Sequence, residues 1–111
     1  LKETDKEYAN AKYAMVKARE AYYYLGVLKD NKKAEELISE ARKTLGSKGK
    51  YSNELLWLDA YLTILEVETW ITLSKGNYEK AVEKLETWKR FSEEHRKEIV
   101  EKYGEELLGR S

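Results

Sequence analysis

The sequence predicts an all-α fold of four antiparallel helices, and three observations predict it. Apolar residues recur at spacings of three and four along most of the 111 residues. No segment alternates apolar with polar residues and no Asn-Gly hairpin turn occurs, so strands have no support. Proline is absent, and Gly, Asn, Asp and Ser mark the breaks between the apolar stripes. A chain of this length is expected to form a single domain, residues 1–111, with a core of its own.

The first helix is expected from about Thr4 to Leu28, with Tyr8, Ala11, Met15, Ala18, Tyr22 and Leu25 as its apolar stripe. Thr4 and Glu7 have the spacing of a capping box, in which each side chain satisfies an orphan amide at the helix start. Lys29-Asp30-Asn31 is turn material, and Asp30 or Asn31 can cap the second helix, Lys32 to Leu45. That helix carries Ala34, Leu37, Ile38, Ala41 and Leu45 on one face and stops at Gly46. The Gly46 to Ser52 connection has two glycines and two lysines and is expected to be the most mobile internal segment. Ser52 or Asn53 caps the third helix, which runs to about Lys75 before a tight turn at Gly76-Asn77. The fourth begins near Tyr78 and keeps a stripe through Ala81, Leu85, Trp88, Ser92, His95, Ile99 and Tyr103. Gly104 is expected to end or kink it, and a break at Ser92 is the alternative reading. Short connections make successive helices antiparallel, either as an up-down-up-down bundle or as two packed helical hairpins.

Composition excludes several functions. Lys plus Arg and Asp plus Glu both total 21, and this zero balance gives no electrostatic basis for a nucleic-acid partner. The most apolar stretch, Leu55 to Leu73, carries Asp59, Glu66 and Glu68, so no membrane span is expected and the domain reads as soluble. Without cysteine there is no disulfide, zinc-thiolate site or thiol nucleophile. A single histidine cannot build a zinc site, and the Glu-x-x-His pattern of di-iron bundles fails because position 92 is Ser. Neither a nucleophile elbow nor a phosphate-binding loop occurs. No metal and no cofactor is expected.

Ala34 aligns on Ala81 as two turn-plus-helix units 47 residues apart, although the first and third helices match poorly. Within the second unit, Lys75-Gly76-Asn77-Tyr78-Glu79-Lys80-Ala81-Val82-Glu83-Lys84-Leu85 resembles the inter-helix turn and second helix of a tetratricopeptide repeat. The resemblance covers about a tenth of the chain. Upstream, Leu65, Glu68 and Thr69 stand where that family has its aromatic and Leu-Gly pair. It implies a protein- or peptide-binding role without catalysis. The absence of proline, the dominance of charged helix formers and a start at Leu rather than Met also suit a computationally designed bundle; a domain from a heat-loving organism would share much of this pattern.

Two residues carry the candidate chemistry. The third helix is apolar nearly all round; Asp59, Thr63 and Glu66 share one stripe, the expected solvent face, and Glu68 falls on the opposite side. Glu68 is therefore expected to be at least partly buried, either satisfied by a Tyr hydroxyl or a Lys, or serving as a general base with a raised pKa. His95 falls beside Trp88, Phe91 and Ile99, as a hydrogen-bonded structural residue or as a base or single axial haem ligand. The second helix, at ~1.5 Å per residue, is too short to cover the whole bundle. Small Ala11 and Ala18 on the first helix, with Tyr22, Trp57, Trp88 and Phe91 around them, then suggest either large-small interlocking or an apolar pocket between helices 1, 3 and 4. The functional expectation is a helical scaffold or protein/peptide interaction module. The alternative is a designed small-molecule or haem binder, or a simple acid-base catalyst, using that cavity.

Overall fold

A computed structural model describes residues 3–107. Four helices follow one another: α1 (Glu3–Gly26), α2 (Asn31–Leu45), α3 (Glu54–Ser74) and α4 (Tyr78–Leu107), with one 3-10 turn at Lys48–Lys50 and no strand among the described residues. The short α2 has 15 residues against 24, 21 and 30 in the others.

Local chemistry accounts for the boundaries. Asp30 caps α2 by accepting the Lys33 amide at 3.0 Å, Asn53 caps α3 through Leu56, and Asn77 accepts the amide of Lys80 at the start of α4. Gly46 ends α2 at φ 68°, and Gly76 turns the chain between α3 and α4 at φ 77°. Lys29 occupies the same left-handed region, φ 56°, between α1 and α2. Two sequence expectations are corrected. Thr4 lies inside α1 rather than capping it, and the Glu7 carboxylate binds Ser52 instead of the helix start. Helix α4 passes both Ser92 and Gly104 without ending, since a glycine within a helix costs only about 1 kcal/mol. The side chains of Thr4, Ile99 and Tyr103 lie outside the described part of the structure.

Cross-helix pairs fix the directions. Tyr13 donates to Glu40 between α1 and α2; Arg42 meets Glu68, and Lys75 meets Glu35, between α2 and α3. Lys84 meets Glu68, and His95 meets Asp59, between α3 and α4. In both cases with two pairs, residue numbers fall on one helix as they rise on the other, so neighbours in sequence are antiparallel. By contrast, α1 and α3 lie side by side and parallel, with Glu7 level with Ser52 and Tyr22 level with Trp70.

The arrangement is two stacked hairpins rather than a closed bundle. Helix α3 packs against α1, α2 and α4, whereas α4 rests on α3 alone among the described residues. The main core joins an alanine seam on α1 (Ala11, Ala14, Ala18 and Ala21) to Leu37 and Ile38 of α2 and to Trp57, Ile64 and Ile71 of α3. Below α2, the connection through Tyr51 closes the core, with Tyr51 only 8% exposed. Trp57 Nε1 donates to the Gly46 carbonyl at 3.1 Å, and buried Glu7 accepts from the Ser52 amide at 2.6 Å and hydroxyl at 2.8 Å. The segment expected to be most mobile is thus tied down at both ends.

Two outcomes test this account. Glu7→Ala leaves the Ser52 amide unpaired and is expected to cost ~1–3 kcal/mol in denaturant unfolding, with faster amide exchange at Ser52. Gly76→Ala meets no atom within 4 Å, so its cost is backbone strain alone, ~1–2 kcal/mol; an unchanged midpoint would contradict that.

Candidate functional site

Glu68 sits where α2, α3 and α4 converge. Its carboxylate accepts from Arg42 Nε at 2.8 Å and from a terminal Arg42 nitrogen at 2.6 Å, a two-pronged charge-assisted pair. Lys84 Nζ adds a third contact at 3.3 Å. Burial pushes the carboxyl pKa up, but the hydrogen bonds and charge of Arg42, with Lys84 behind them, outweigh burial and hold it below the usual range. The pair in turn raises the Arg42 pKa, against the effect of burial. A carboxylate held ionised by two cations is a poor proton acceptor, which is the reverse of the raised pKa a general base would need.

His95 Nε2 lies 2.7 Å from Asp59 Oδ1, and Nδ1 is buried without a hydrogen-bond partner. An axial ligand needs an accessible ring nitrogen, and one nitrogen is engaged while the other is enclosed. Asp59 and Glu66 are exposed and Thr63 is half-buried, in keeping with the expected solvent stripe.

Of the residues grouped by sequence as a pocket, Ala11, Ala18 and Trp57 share one core cluster with Phe91 packed against it, and Tyr22 and Trp88 lie outside that cluster. Ala11 and Ala18 are fully buried in the α1–α2–α3 core, where large and small side chains interlock. Trp57 stacks on Tyr61 at 4.5 Å between ring centroids, and Phe91 meets Tyr61 edge-on at 5.1 Å. The Arg42 guanidinium lies 5.4 Å from the centre of the Tyr61 ring, so this aromatic group continues into the Glu68 pair. Tyr22 and Trp88 lie on the surface side of the molecule, on α1 and α4, helices that do not touch among the described residues.

Two concave regions lie against α3 and α4, apart from a hollow of about 210 Å³ between α1 and the Gly46–Tyr51 connection. The larger, about 520 Å³, runs between α2, α3 and α4 over Ile38 and Ile71, with Glu35, Glu68, Lys75 and Lys84 on its walls. These four charges already form ion pairs with one another or with Arg42. The second is an apolar face across α1, α3 and α4 made of two adjoining hollows. One, about 350 Å³, lies between Tyr22, Leu25, Trp70 and Leu73; the other, about 200 Å³, between Trp70, Leu73, Leu85 and Trp88. Tyr22, Trp70 and Leu85 are 48%, 46% and 48% exposed, and the Trp70 ring meets Tyr22 edge-on at 6.5 Å. The site expected from sequence includes Tyr22 and Trp88 but not Trp70. The available signal was its position four residues after Glu66, on the stripe assigned to solvent.

Among the described residues, no group of three or more His, Cys, Asp or Glu side chains comes together to hold a metal ion, and no helix is long and apolar enough to cross a membrane.

The Glu68 pair makes stability depend on acid. Its folded pKa lies below the unfolded value of ~4.3, so the stabilisation is present above that pH and lost as pH falls through the folded value. Glu68→Gln should flatten the fall in unfolding free energy below about pH 4, and Glu68→Ala should cost ~1–3 kcal/mol at pH 7 by leaving Arg42 and Lys84 without their partner. Equal acid sensitivity in Glu68→Gln would show that other carboxylates govern it.

No protein-family model matches the chain, and no curated protein or solved structure is significantly similar to it.

Proposed function

We propose that the protein is a helical protein- or peptide-interaction module without catalysis of its own. The observation that carries this reading is the apolar face of Tyr22, Trp70, Leu73, Leu85 and Trp88. Half-exposed tryptophan and leucine side chains give a domain only part of the stabilisation that full burial would, and contiguous apolar surface of this kind marks sites where another chain docks. Trp and Tyr bring a large, stiff contact area and dominate the energetics of such sites. The Lys75 to Leu85 turn, with its tetratricopeptide-like Gly-Asn-Tyr and Ala pattern, supports the same reading, because stacked hairpins of that kind bind through their surface helices. The regular caps, the absence of proline and the short turns suit a designed scaffold that presents such a face.

Catalysis and haem binding find less support. Of the two titratable candidates, Glu68 is held by the Arg42 and Lys84 cations and His95 Nε2 is engaged by Asp59, and Ala11, Ala18, Trp57 and Phe91 are packed against core neighbours.

Titration of amphipathic helical peptides against 15N-labelled protein tests the proposal, because each of the three tryptophans reports separately. Binding is expected to shift the Trp70 and Trp88 indole resonances and spare Trp57, with Trp70→Ser weakening binding by about tenfold or more. Haem or an aromatic ligand that shifts Trp57 and is lost in His95→Ala would replace this reading with the small-molecule one.

A further inference from the structure

The second hairpin repeats the cap and the left-handed residue of the first at its turn, which is one residue shorter. Asp30 Oδ1 accepts the Lys33 amide and Asn77 Oδ1 accepts the Lys80 amide, both 47 residues on. The Asp30 amide donates to the Tyr24 carbonyl and the Asn77 amide to the Thr72 carbonyl. The left-handed residue of the turn is Lys29 in one and Gly76 in the other, and Ala34 and Ala81, at 0% and 1% exposure, begin the buried face of the second helix. Positions therefore correspond at an offset of 48 between α1 and α3 and of 47 between α2 and α4.

The correspondence shows what is missing from the open face. In the first hairpin the groove between α1 and α2 is filled by α3: Ile38 is 6% exposed, and Arg42 clasps Glu68. The matching positions of the second hairpin are Leu85, 48% exposed, and Lys89, also exposed. The groove between α3 and α4 is thus the continuation of an interface the molecule already builds, left without its helix.

The segment that corresponds to α3 is α1, and its outer side has the matching chemistry. Tyr8, Lys12, Val16, Arg19, Tyr23 and Val27, spaced four, four, three, four and four apart, form an exposed row facing away from the core. Parallel neighbours in this fold sit level at offsets of 45 to 48, as Glu7 with Ser52 and Tyr22 with Trp70 show. By the same offsets, an α1 laid in the open groove sits level with α3 residues 48 to 51 higher, so Lys12 lies within about a turn of Asp59, Arg19 of Glu66 and Tyr23 of Trp70. Both carboxylates are exposed at the edge of the groove, and both cations are exposed on the row. The same step carries the Arg42–Glu68 clasp onto Lys89 and Glu20.

We propose that the open α3–α4 face takes the outer side of α1 from a second copy of this chain, so that molecules stack head to tail through the step that joins the two hairpins. This rests on the face identified above as the interaction surface and names its partner. The contact is heterologous, so each addition leaves an identical open face, and assembly does not stop at two.

Sedimentation equilibrium of the full chain, from about 10 μM to about 1 mM, tests this. The weight-average mass is expected to climb with concentration past twice the chain mass, less steeply at high salt, as screening weakens the charge pairs. Glu66→Arg and Arg19→Glu each place like charges across the contact and should weaken association by about tenfold or more. Mixing the two variants should restore it, because the reversed groove of one accepts the reversed α1 of the other; that recovery also shows both variants to be folded. Tyr23→Ser, at an exposed position, should weaken association without charge reversal. A monomer at every concentration, a plateau at the dimer, or variants that associate as the parent does would each overturn the proposal. Peptide binding at Trp70 and Trp88 by a chain that stays monomeric would overturn it and leave the interaction-module reading standing.

Discussion

The structure depends on burying α3. Its 21 residues are apolar nearly all round, with four carboxylates and no basic side chain. A helix of that kind is stable in water only when surrounded, and each other element takes one of its sides. Trp57, Leu58, Ala60, Ile64 and Ile71 join the core shared with α1 and α2, Leu65 is buried outside that cluster, and α4 packs on α3 as well. The alanine seam of α1 is part of the same requirement, since side chains as large as Trp57 and Ile64 need small neighbours if the helices are to approach closely.

Burying α3 from three directions creates its main polar difficulty and the solution to it. Glu68 is largely buried at the convergence of α2, α3 and α4, with its side chain 13% exposed, and an unpaired carboxylate there would be costly. Arg42 from α2 and Lys84 from α4 supply two cations, and Arg42 also lies over the Tyr61 ring, which joins the ion pair to the Trp57–Tyr61–Phe91 cluster. The same geometry that lowers the carboxyl pKa removes Glu68 from acid-base chemistry. His95 of α4 meets Asp59 on the opposite side of α3. The polar groups inside this protein thus lock helices together.

The fourth side of α3 is the exception, because hairpin stacking is translational. A closed four-helix bundle would bring α4 back onto α1 and cover that side; stacking instead leaves α4 on α3 alone, among the described residues, and the Trp70–Leu85 face open. Interior repeats of such a stack bury both of their faces, while terminal ones keep one, and terminal repeats that are not meant to associate carry polar residues there. Trp70, Leu73, Leu85 and Trp88 are not polar, and the function proposed for the protein follows from that.

What the sequence determined by itself was everything that depends on neighbours a few residues away. The four helices, a cap at Asp30 or Asn31 and another at Ser52 or Asn53, the turns at Gly46 and Gly76, the short α2 and the Asp59–Glu66 solvent stripe all follow from spacing and turn chemistry along a single segment, and the structure selects Asp30 and Asn53. Reading failed where a local pattern met a distant partner or a tolerable cost. Thr4 and Glu7 have capping-box spacing, but Glu7 serves Ser52, 45 residues on, and a favourable long helix absorbs Gly104. The tertiary structure alone decided between closed bundle and stacked hairpins, the Arg42 and Lys84 partners of Glu68, the burial of Ala11, Ala18 and Trp57 in a filled core, and the open face at Trp70. Bundle and stack demand the same apolar stripes on the same helices. They differ only in the rotation and register of one helix against another, which are set by side chains far apart in the chain and leave no mark on the spacing within any one of them.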